Sequence, residues 1–414
     1  MTRVEKIPGT GSRQDPCRTQ RSGQDFPELF GYQASCSLST IFTVFGPEGH
    51  LLSVNCMQRN YELLKSICIV RLSAIGDVCH AVATVQAIQR HYPDADITWV
   101  IGRIEHSLVS DISGVKFVVF DKKRGFNSYL DLHKKMVGTP PYDVLLQMQT
   151  SLRSNLVGGI VKAKRKIGFP ASKARELHRF FVGEHLPETE AFHVLDVFKH
   201  FASGINVPNF EARWDIPIPP SAIANISNWL NGKSGHVVIS PSASNIERNW
   251  LPSRYAAIAR HCFERGLVVV LTGSKAEQEI ALARDIEELA GVHIVNLAGK
   301  TNLKELLGLC RFARLVIGPD SGTVHMATTQ LTPVIGLYAH SNPKRTGPYG
   351  DHATIADAYT PELVARKKTE SMYLWGHRLK GASLMSQIST DQVISLIDQT
   401  LSRGWNTRDL PAQY

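Results

Sequence analysis

The run Asp320-Ser321-Gly322-Thr323-Val324-His325-Met326-Ala327 brings together the residue types that hold an anionic group at the mouth of a helix. A short carboxylate and a hydroxyl can cap a helix start, and a glycine lets a ligand approach the backbone. The first N–H groups of a helix are unsatisfied and lie at its positive dipole end, which suits a phosphate. His325 falls one turn inside, within reach of such a group. Capping alone would explain the same residues.

Three further clusters can serve the same chemistry. Arg71-Leu72-Ser73-Ala74-Ile75-Gly76-Asp77-Val78 places one carboxylate, Asp77, at a turn. It can act as a general base or merely cap the helix that follows. It is neither a G-x-G-x-x-G fingerprint nor a G-x-x-x-x-G-K-[ST] phosphate loop, which argues against the usual dinucleotide or P-loop sites. Ser240-Pro241-Ser242-Ala243-Ser244, with Arg248 shortly after, supplies hydroxyls and a guanidinium suited to phosphate oxygens. Leu271-Thr272-Gly273-Ser274 is followed by Glu277, able to accept ribose hydroxyls or to serve as a first-turn helix acid. No His/Cys cluster suggests a metal, and no cofactor is expected.

The elements that must carry these residues alternate strand and helix. Apolar runs at Ile67–Leu72, Ile97–Ile101, Phe117–Phe120 and Val144–Met148 read as buried strands, with a helix over Val78–His91 and another reaching about Lys162. Residues 205–222, with four prolines, read as a linker. A second series follows, with strands at His236–Ser240, Leu267–Thr272, His293–Leu297, Leu315–Gly318 and Val334–Leu337. Its helices are Ser253–Arg265, Ala276–Leu289, Leu303–Arg311 and the one at Ser321. Asp391–Leu401 reads as a last amphipathic helix. Two such series predict two doubly wound, Rossmann-like α/β domains, with ligands at the carboxyl ends of the strands and hence in a central cleft between facing domains. The expected layout is a disordered extension over 1–60, a first domain over 61–216, a second over 217–388, and a terminal helix over 389–414 that returns toward the first domain.

The chain has 414 residues, enough for two cores, and no run of 18 apolar residues. Its net charge of +9 is concentrated. Residues 122–179 hold thirteen Lys/Arg against Asp131, Asp143 and Glu176, so the remainder is close to neutral. A solvated basic face is one reading; an anionic partner such as a phosphorylated lipid, a membrane surface or nucleic acid is the other. No helix-turn-helix or aromatic-interleaved RNA motif is apparent, which disfavours nucleic acid. The seven cysteines show no metal spacing, and buried free thiols in a cytoplasmic protein are expected.

Taken in order, Ser73–Val78, Ser242-Ala243-Ser244 with Trp250, Leu271–Ser274 with Glu277, Leu297-Ala298-Gly299-Lys300-Thr301 and Asp320–Ala327 resemble glycosyltransferase family 9, the ADP-heptose:lipopolysaccharide heptosyltransferases. The resemblance covers roughly residues 66 to 400. It implies a GT-B fold, with the acceptor on the first domain and the nucleotide sugar on the second. It implies Asp77 as the catalytic aspartate of an inverting, metal-independent heptosyl transfer from ADP-heptose to a lipopolysaccharide inner-core sugar of the Kdo-lipid A type. Ser242, Ser244, Arg248, Gly273, Glu277, Thr301, Asp320, Ser321, Gly322 and His325 fall on the donor side. Many relatives have lysine where Arg248 stands. On the acceptor side, Gln149-Thr150-Ser151-Leu152-Arg153-Ser154 stands where the family has Gln-Gly-x-x-(Lys/Arg)-Ser, so Gln149 and Arg153 are expected there without the glycine. Lys122, Lys123, Arg124, Lys164 and Arg165 would face acceptor phosphates and acidic sugars, with peripheral contact at the cytoplasmic face of the inner membrane. A GT-B transferase with another donor or acceptor is the alternative; a nucleic-acid-binding protein using 122–179 is a distant one.

Overall fold

The computed structural model describes residues 64–366 and 375–404, and the backbone of two short strands, β1 (Thr43–Phe45) and β2 (Leu51–Ser53). These two pair antiparallel, inside the segment expected to be disordered. The rest of that segment, including Cys17, Cys36 and Cys56, lies outside the described residues.

From residue 64 the alternation of buried apolar runs and amphipathic helices produces two wholly parallel, six-stranded sheets. The first is ordered β5-β4-β3-β6-β7-β8, with β3 at Ser66–Val70, β4 at Asp96–Gly102, β5 at Val115–Phe120, β6 at Tyr142–Gln147, β7 at Ala163–Gly168 and β8 at Glu184–His185. The second is ordered β11-β10-β9-β12-β13-β14, from β9 (Val237–Ile239), β10 (Val269–Leu271) and β11 (Val295–Asn296) to β12 (Leu315–Pro319), β13 (Val334–Tyr338) and β14 (Ala353–Asp357). In each sheet the order reverses beside the first strand, at β3/β6 and β9/β12. That switch point opens a crevice at the carboxyl edge of a doubly wound sheet.

The helices that matter for the site are α1 (Ile75–His91), α2 (Arg103–Val109), α3 (Asn127–Met136), α4 (Leu152–Ile160) and α5 (Val194–Ser203) on the first sheet. On the second they are α6 (Pro220–Trp229), α7 (Pro252–Glu264), α8 (Glu277–Ala290), α9 (Leu303–Phe312), α10 (Gly322–Thr329) and the short α11 (Pro343–Thr346). An apolar cluster runs without a break from Ile67, Val82 and Trp99 in the first half to Val316, Val324 and Ala327 in the second. Its bridge is the packing of α1 on α10 and of α2 on α9. The outer faces carry separate clusters, around Val70 and Leu145 in the first sheet and around Ile239 and Leu337 in the second.

After α12 (Tyr359–Ala365), the last helix, α13 (Thr390–Ser402), does not return to the first half as expected. It packs on α7, β13 and β14, because its buried stripe, Val393, Ile397 and Thr400, completes the outer core of the second sheet. His261 and Arg265 of α7 hold Asp398 at 2.8 and 2.7 Å. The segment before it makes the return instead, where Trp375 Nε1 donates to the Phe192 carbonyl at 3.0 Å. Cys68, Cys79, Cys262 and Cys310 are buried free thiols. No helix among the described residues is long and apolar enough to cross a membrane.

Candidate active site

The first turns of α1 and α10 face each other. Each begins directly beyond a central strand, β3 or β12, so each presents N–H groups at the carboxyl edge of its own sheet. Glycine permits the approach: a Cβ on Gly76 would stand 2.3 Å from His325 Cδ2, and one on Gly322 would stand 3.1 Å from Ile75 Cγ2. Ile75 of the opposite half thus packs close against the Gly322 Cα.

Asp77 lies at the third position of α1. Its carboxylate accepts the Ala74 N–H at 3.5 Å, the back half of a capping box, and is ion-paired with the Arg71 guanidinium. The helix-capping contact considered from sequence is therefore present in part. About a third of the Asp77 side chain is open to solvent, whereas Arg71 is buried. Arg71 is itself fixed by donating from Nη1 to the Met148 carbonyl at 2.6 Å. Burial lowers the Arg71 guanidinium below its ordinary value, against the pull of Asp77 and Glu105.

On the other half Asp320 is buried and is contacted by both Arg248 and His325. Arg248 Nη1 donates to its Oδ2 and to its backbone carbonyl, both at 2.9 Å, while Arg248 Nη2 donates to Ser244 Oγ at 2.6 Å. His325 Nε2 stands 3.6 Å from Asp320 Oδ1. Burial would raise the Asp320 carboxyl, but His325 and Arg248 outweigh it and hold it down to about 2. Arg248 is thus already neutralised by Asp320 rather than standing free for phosphate. Ser321 occupies the N-cap of α10 without making a side-chain cap bond, so the capping expected of Asp320 and Ser321 is not observed. Ser321 Oγ, Ser242 Oγ, Arg248 Nε and His325 Nδ1 are instead buried with no partner, an unusual concentration of unmet polar atoms. The outer donor-side residues sit along the β10 and β11 edge. Gly273 accepts the Gly299 N–H at 3.0 Å. Glu277 is exposed at the start of α8, and Thr301 directly precedes the cap of α9. The acid that closes the Gly273–Ser274 turn is Glu279, which accepts the Ser274 N–H at 2.8 Å.

Sequence reasoning missed two histidines, His80 and His193, that stand in a row with His325 between the halves. The His80 ring lies 4.9 Å from that of His325 and 5.1 Å from that of His193. His193 caps α5, accepting the Leu195 N–H at Nδ1, and its Nε2 donates to the Gly347 carbonyl at 3.0 Å. Burial pushes His193 down to about 4 and His80 well below its ordinary value, so both imidazoles are neutral near pH 7. Only the spacing of His80 in the α1 pattern could have flagged any of them. Arg345 and Arg378, discussed below, also left no local signal.

The predicted acceptor residues divide. Lys122, Lys123, Gln149 and Arg153 line one pocket at the carboxyl edge of the first sheet, about 570 Å³ and open to solvent, with Leu72, Ser73 and Phe120 among its walls. Gln149 also accepts the Leu72 N–H at 2.8 Å, which fixes the turn before Asp77. Arg124 beside this pocket is paired with Asp131. Lys164 and Arg165 lie elsewhere. Lys164 donates to Asp143 at 2.8 Å, and Asp143 holds the Lys65 and Ser66 N–H groups at the amino end of β3. Arg165 is held bidentate by Glu184 at 2.8 Å. They sit on β7, whose start is at the edge of the sheet opposite the pocket, so the basic run 122–179 is not one surface. Among the described residues no group of three His, Cys, Asp or Glu side chains could hold a metal.

Two parallel sheets with reversed strand order and facing helix starts make up the two-domain GT-B architecture, which is shared with solved structures. The family 9 glycosyltransferase of Veillonella parvula matches with a TM-score of 0.69 at 20% identity, over 83% of this chain and 99% of that one. The ADP-heptose lipopolysaccharide heptosyltransferase II of Escherichia coli matches with a TM-score of 0.62 at 18% identity, over 82% and 99%. The lipopolysaccharide core heptosyltransferase OpsX of Haemophilus influenzae is 40% identical over 336 residues, which span 80% of this chain and 96% of that protein. Residues 131–375 match the model of glycosyltransferase family 9 (heptosyltransferase), and the chain belongs to that family.

Proposed function

We propose that the protein transfers a heptose from ADP-L-glycero-D-manno-heptose to a sugar hydroxyl of the lipopolysaccharide inner core, with inversion and with Asp77 as the base. The observation that carries this reading is the apposition of the α1 and α10 starts. It sets an accessible carboxylate on one half across from buried polar atoms without partners on the other, the Ser242 and Ser321 hydroxyls, His325 Nδ1 and Arg248 Nε. The acceptor hydroxyl gives its proton to Asp77 as its oxygen bonds to the anomeric carbon. The bond from that carbon to the diphosphate breaks on the opposite face, and ADP leaves with the electron pair. The α10 N–H groups, Ser242, Ser321 and His325 would receive the growing negative charge, and fixed donors of this kind need no reorganisation during the step. Glu277 and Thr301 would hold the nucleoside. The pocket of Lys122, Lys123, Gln149 and Arg153 would hold the acceptor. The names of the relatives support the donor and the lipopolysaccharide acceptor. Contact of the basic rim with the cytoplasmic face of the inner membrane would present that acceptor.

The test is incubation with ADP-heptose and with other nucleotide sugars, each against truncated lipopolysaccharides, read by mass spectrometry. Transfer of heptose alone, to an inner-core acceptor, is expected. Asp77→Asn keeps shape and capping ability while removing the proton acceptor. Its kcat should fall by roughly 10²–10⁴ with ADP affinity little changed. Turnover within about threefold of wild type would remove Asp77 as the base.

A further inference from the structure

Five arginines converge where the halves meet, and two are spoken for: Arg71 by Asp77, and Arg248 by Asp320. Arg345 is not. It lies at the end of the short helix α11, with its guanidinium carbon 4.2 Å above the ring of Trp375. Its Nε is buried without a hydrogen-bond partner, and no described carboxylate forms an ion pair with it. Trp375 is a firm platform. Its ring N–H is tied to Phe192, and its carbonyl accepts from Arg175 of the first half. Asp77 of one half and Asp320 of the other both act on Arg345. Burial lowers it most; Asp77 is the strongest opposite charge, ahead of Asp320, while Arg378 and Arg175 oppose it. Arg345 is half-buried, and a guanidinium drawn partly out of water calls for an anionic partner. Three unneutralised arginines exceed what the two charges of a nucleotide sugar's diphosphate require. Arg378, which also acts on Arg248, sits on the donor side of the three.

We propose that Arg345, braced on Trp375, is an anion receptor for the acceptor: it binds an acidic substituent, phosphate or carboxylate, of the acceptor sugar and so places the attacking hydroxyl against Asp77. Arg345 is then a positioning residue and a determinant of acceptor specificity. This rests on the assignment of Asp77 as the base. A planar guanidinium held face-down on an indole keeps its edge donors directed sideways, the geometry that grips a carboxylate or phosphate through two parallel bonds. The two sources of the anion can be told apart by chemistry on the acceptor.

The experiment compares wild type with Arg345→Met, which keeps the stem over Trp375, and with Arg345→Lys, which keeps the charge. Calorimetry measures binding of ADP, and then of a deacylated, heptose-free core saccharide in the presence of ADP; turnover with ADP-heptose gives kcat and KM. Arg345→Met should weaken saccharide binding and raise its KM by about 10- to 100-fold, the usual loss for a charge-assisted contact. ADP affinity should stay within about threefold, and Arg345→Lys should recover part of the loss. Wild type should suffer a comparable loss with a phosphatase-treated saccharide if the anion is phosphate, or with a carboxyl-reduced one if it is carboxylate. The modified saccharide that weakens wild type should cost Arg345→Met nothing further. Loss of ADP binding in Arg345→Met would assign the guanidinium to the donor and overturn the proposal. Wild-type indifference to both modified saccharides would also overturn it, without needing any variant to fold. Saccharide binding without turnover would count against the proposed reaction and leave the receptor standing on the binding data; no saccharide binding would reject both.

Discussion

Removing the charge of Asp320 tests whether the Arg248–Asp320 pair is the buried brace of the donor half. Both side chains are about nine-tenths buried and meet at 2.9 Å. Asp320→Asn keeps the size and one acceptor oxygen but strands the Arg248 guanidinium in a site whose other contacts are the neutral Asp320 carbonyl and Ser244. Breaking a buried pair from one side costs about 3–5 kcal/mol, because the surviving charge stays desolvated. Arg248→Met should cost a similar amount. The double variant should cost less than the two single losses added, by about 1–3 kcal/mol, since no charge is then stranded. Acid titration adds a signed check. The folded Asp320 carboxyl is held at about 2, below its ordinary 3.8, so its contribution is complete above pH 4. It fades as pH falls from about 4 toward 2, and amounts to about 2 kcal/mol in all. Urea unfolding of the four proteins at pH 7, and of wild type and Asp320→Asn from pH 5 to pH 2.5, measures both effects. Additive single losses below about 1 kcal/mol, or a pH slope unchanged by Asp320→Asn, would refute the brace.

Two further outcomes follow from the geometry. Gly76→Ala puts a methyl group against the His325 ring, which is hemmed in by Asp320 and His80, so the α1–α10 seam must open. A stability loss of about 1–3 kcal/mol by urea unfolding is expected, with a larger loss in kcat than in ADP affinity by calorimetry. Charge reversal at Lys122 and Lys123 should raise acceptor KM, more so at low salt, because these exposed charges are screened beyond about 8–10 Å. The same reversal at Lys164 and Arg165 should leave acceptor KM unchanged, and parallel kinetics on the two double variants separate pocket from remote edge.

The central strands were legible because a strand buried on both faces must be apolar throughout. Ile67–Val70 and Leu315–Gly318 stand out for that reason, and their turn residues could be read with them. β7 was not legible: Ala163-Lys164-Arg165-Lys166-Ile167-Gly168 lies toward the sheet edge with its charges out, and it reads as a basic run. α5 carried a signal that was passed over, since Val194, Val197, Phe198 and Phe201 recur at helical spacing. The donor motif was legible as a set of residues, while its wiring was not. That Asp320 answers Arg248, 72 positions away, is a fact of the sheet order, and Arg345 acquires its meaning only when Trp375 arrives from 30 positions further on. The expected return of the last helix failed for a related reason. An amphipathic stripe says that a helix docks, and not on which core.

The unbroken apolar cluster through α1 and α10 has a consequence for how the protein can be divided. Cutting the chain in the 204–219 connection would lay bare the α1 face around Ile75, Gly76 and His80 on one product and the α10 face around Gly322 and His325 on the other. Neither product would have a finished surface. The two halves should therefore melt as one calorimetric event, with equal van 't Hoff and measured enthalpies. Each half expressed alone should be insoluble, and co-expressed halves should recover solubility by reassembling along that seam.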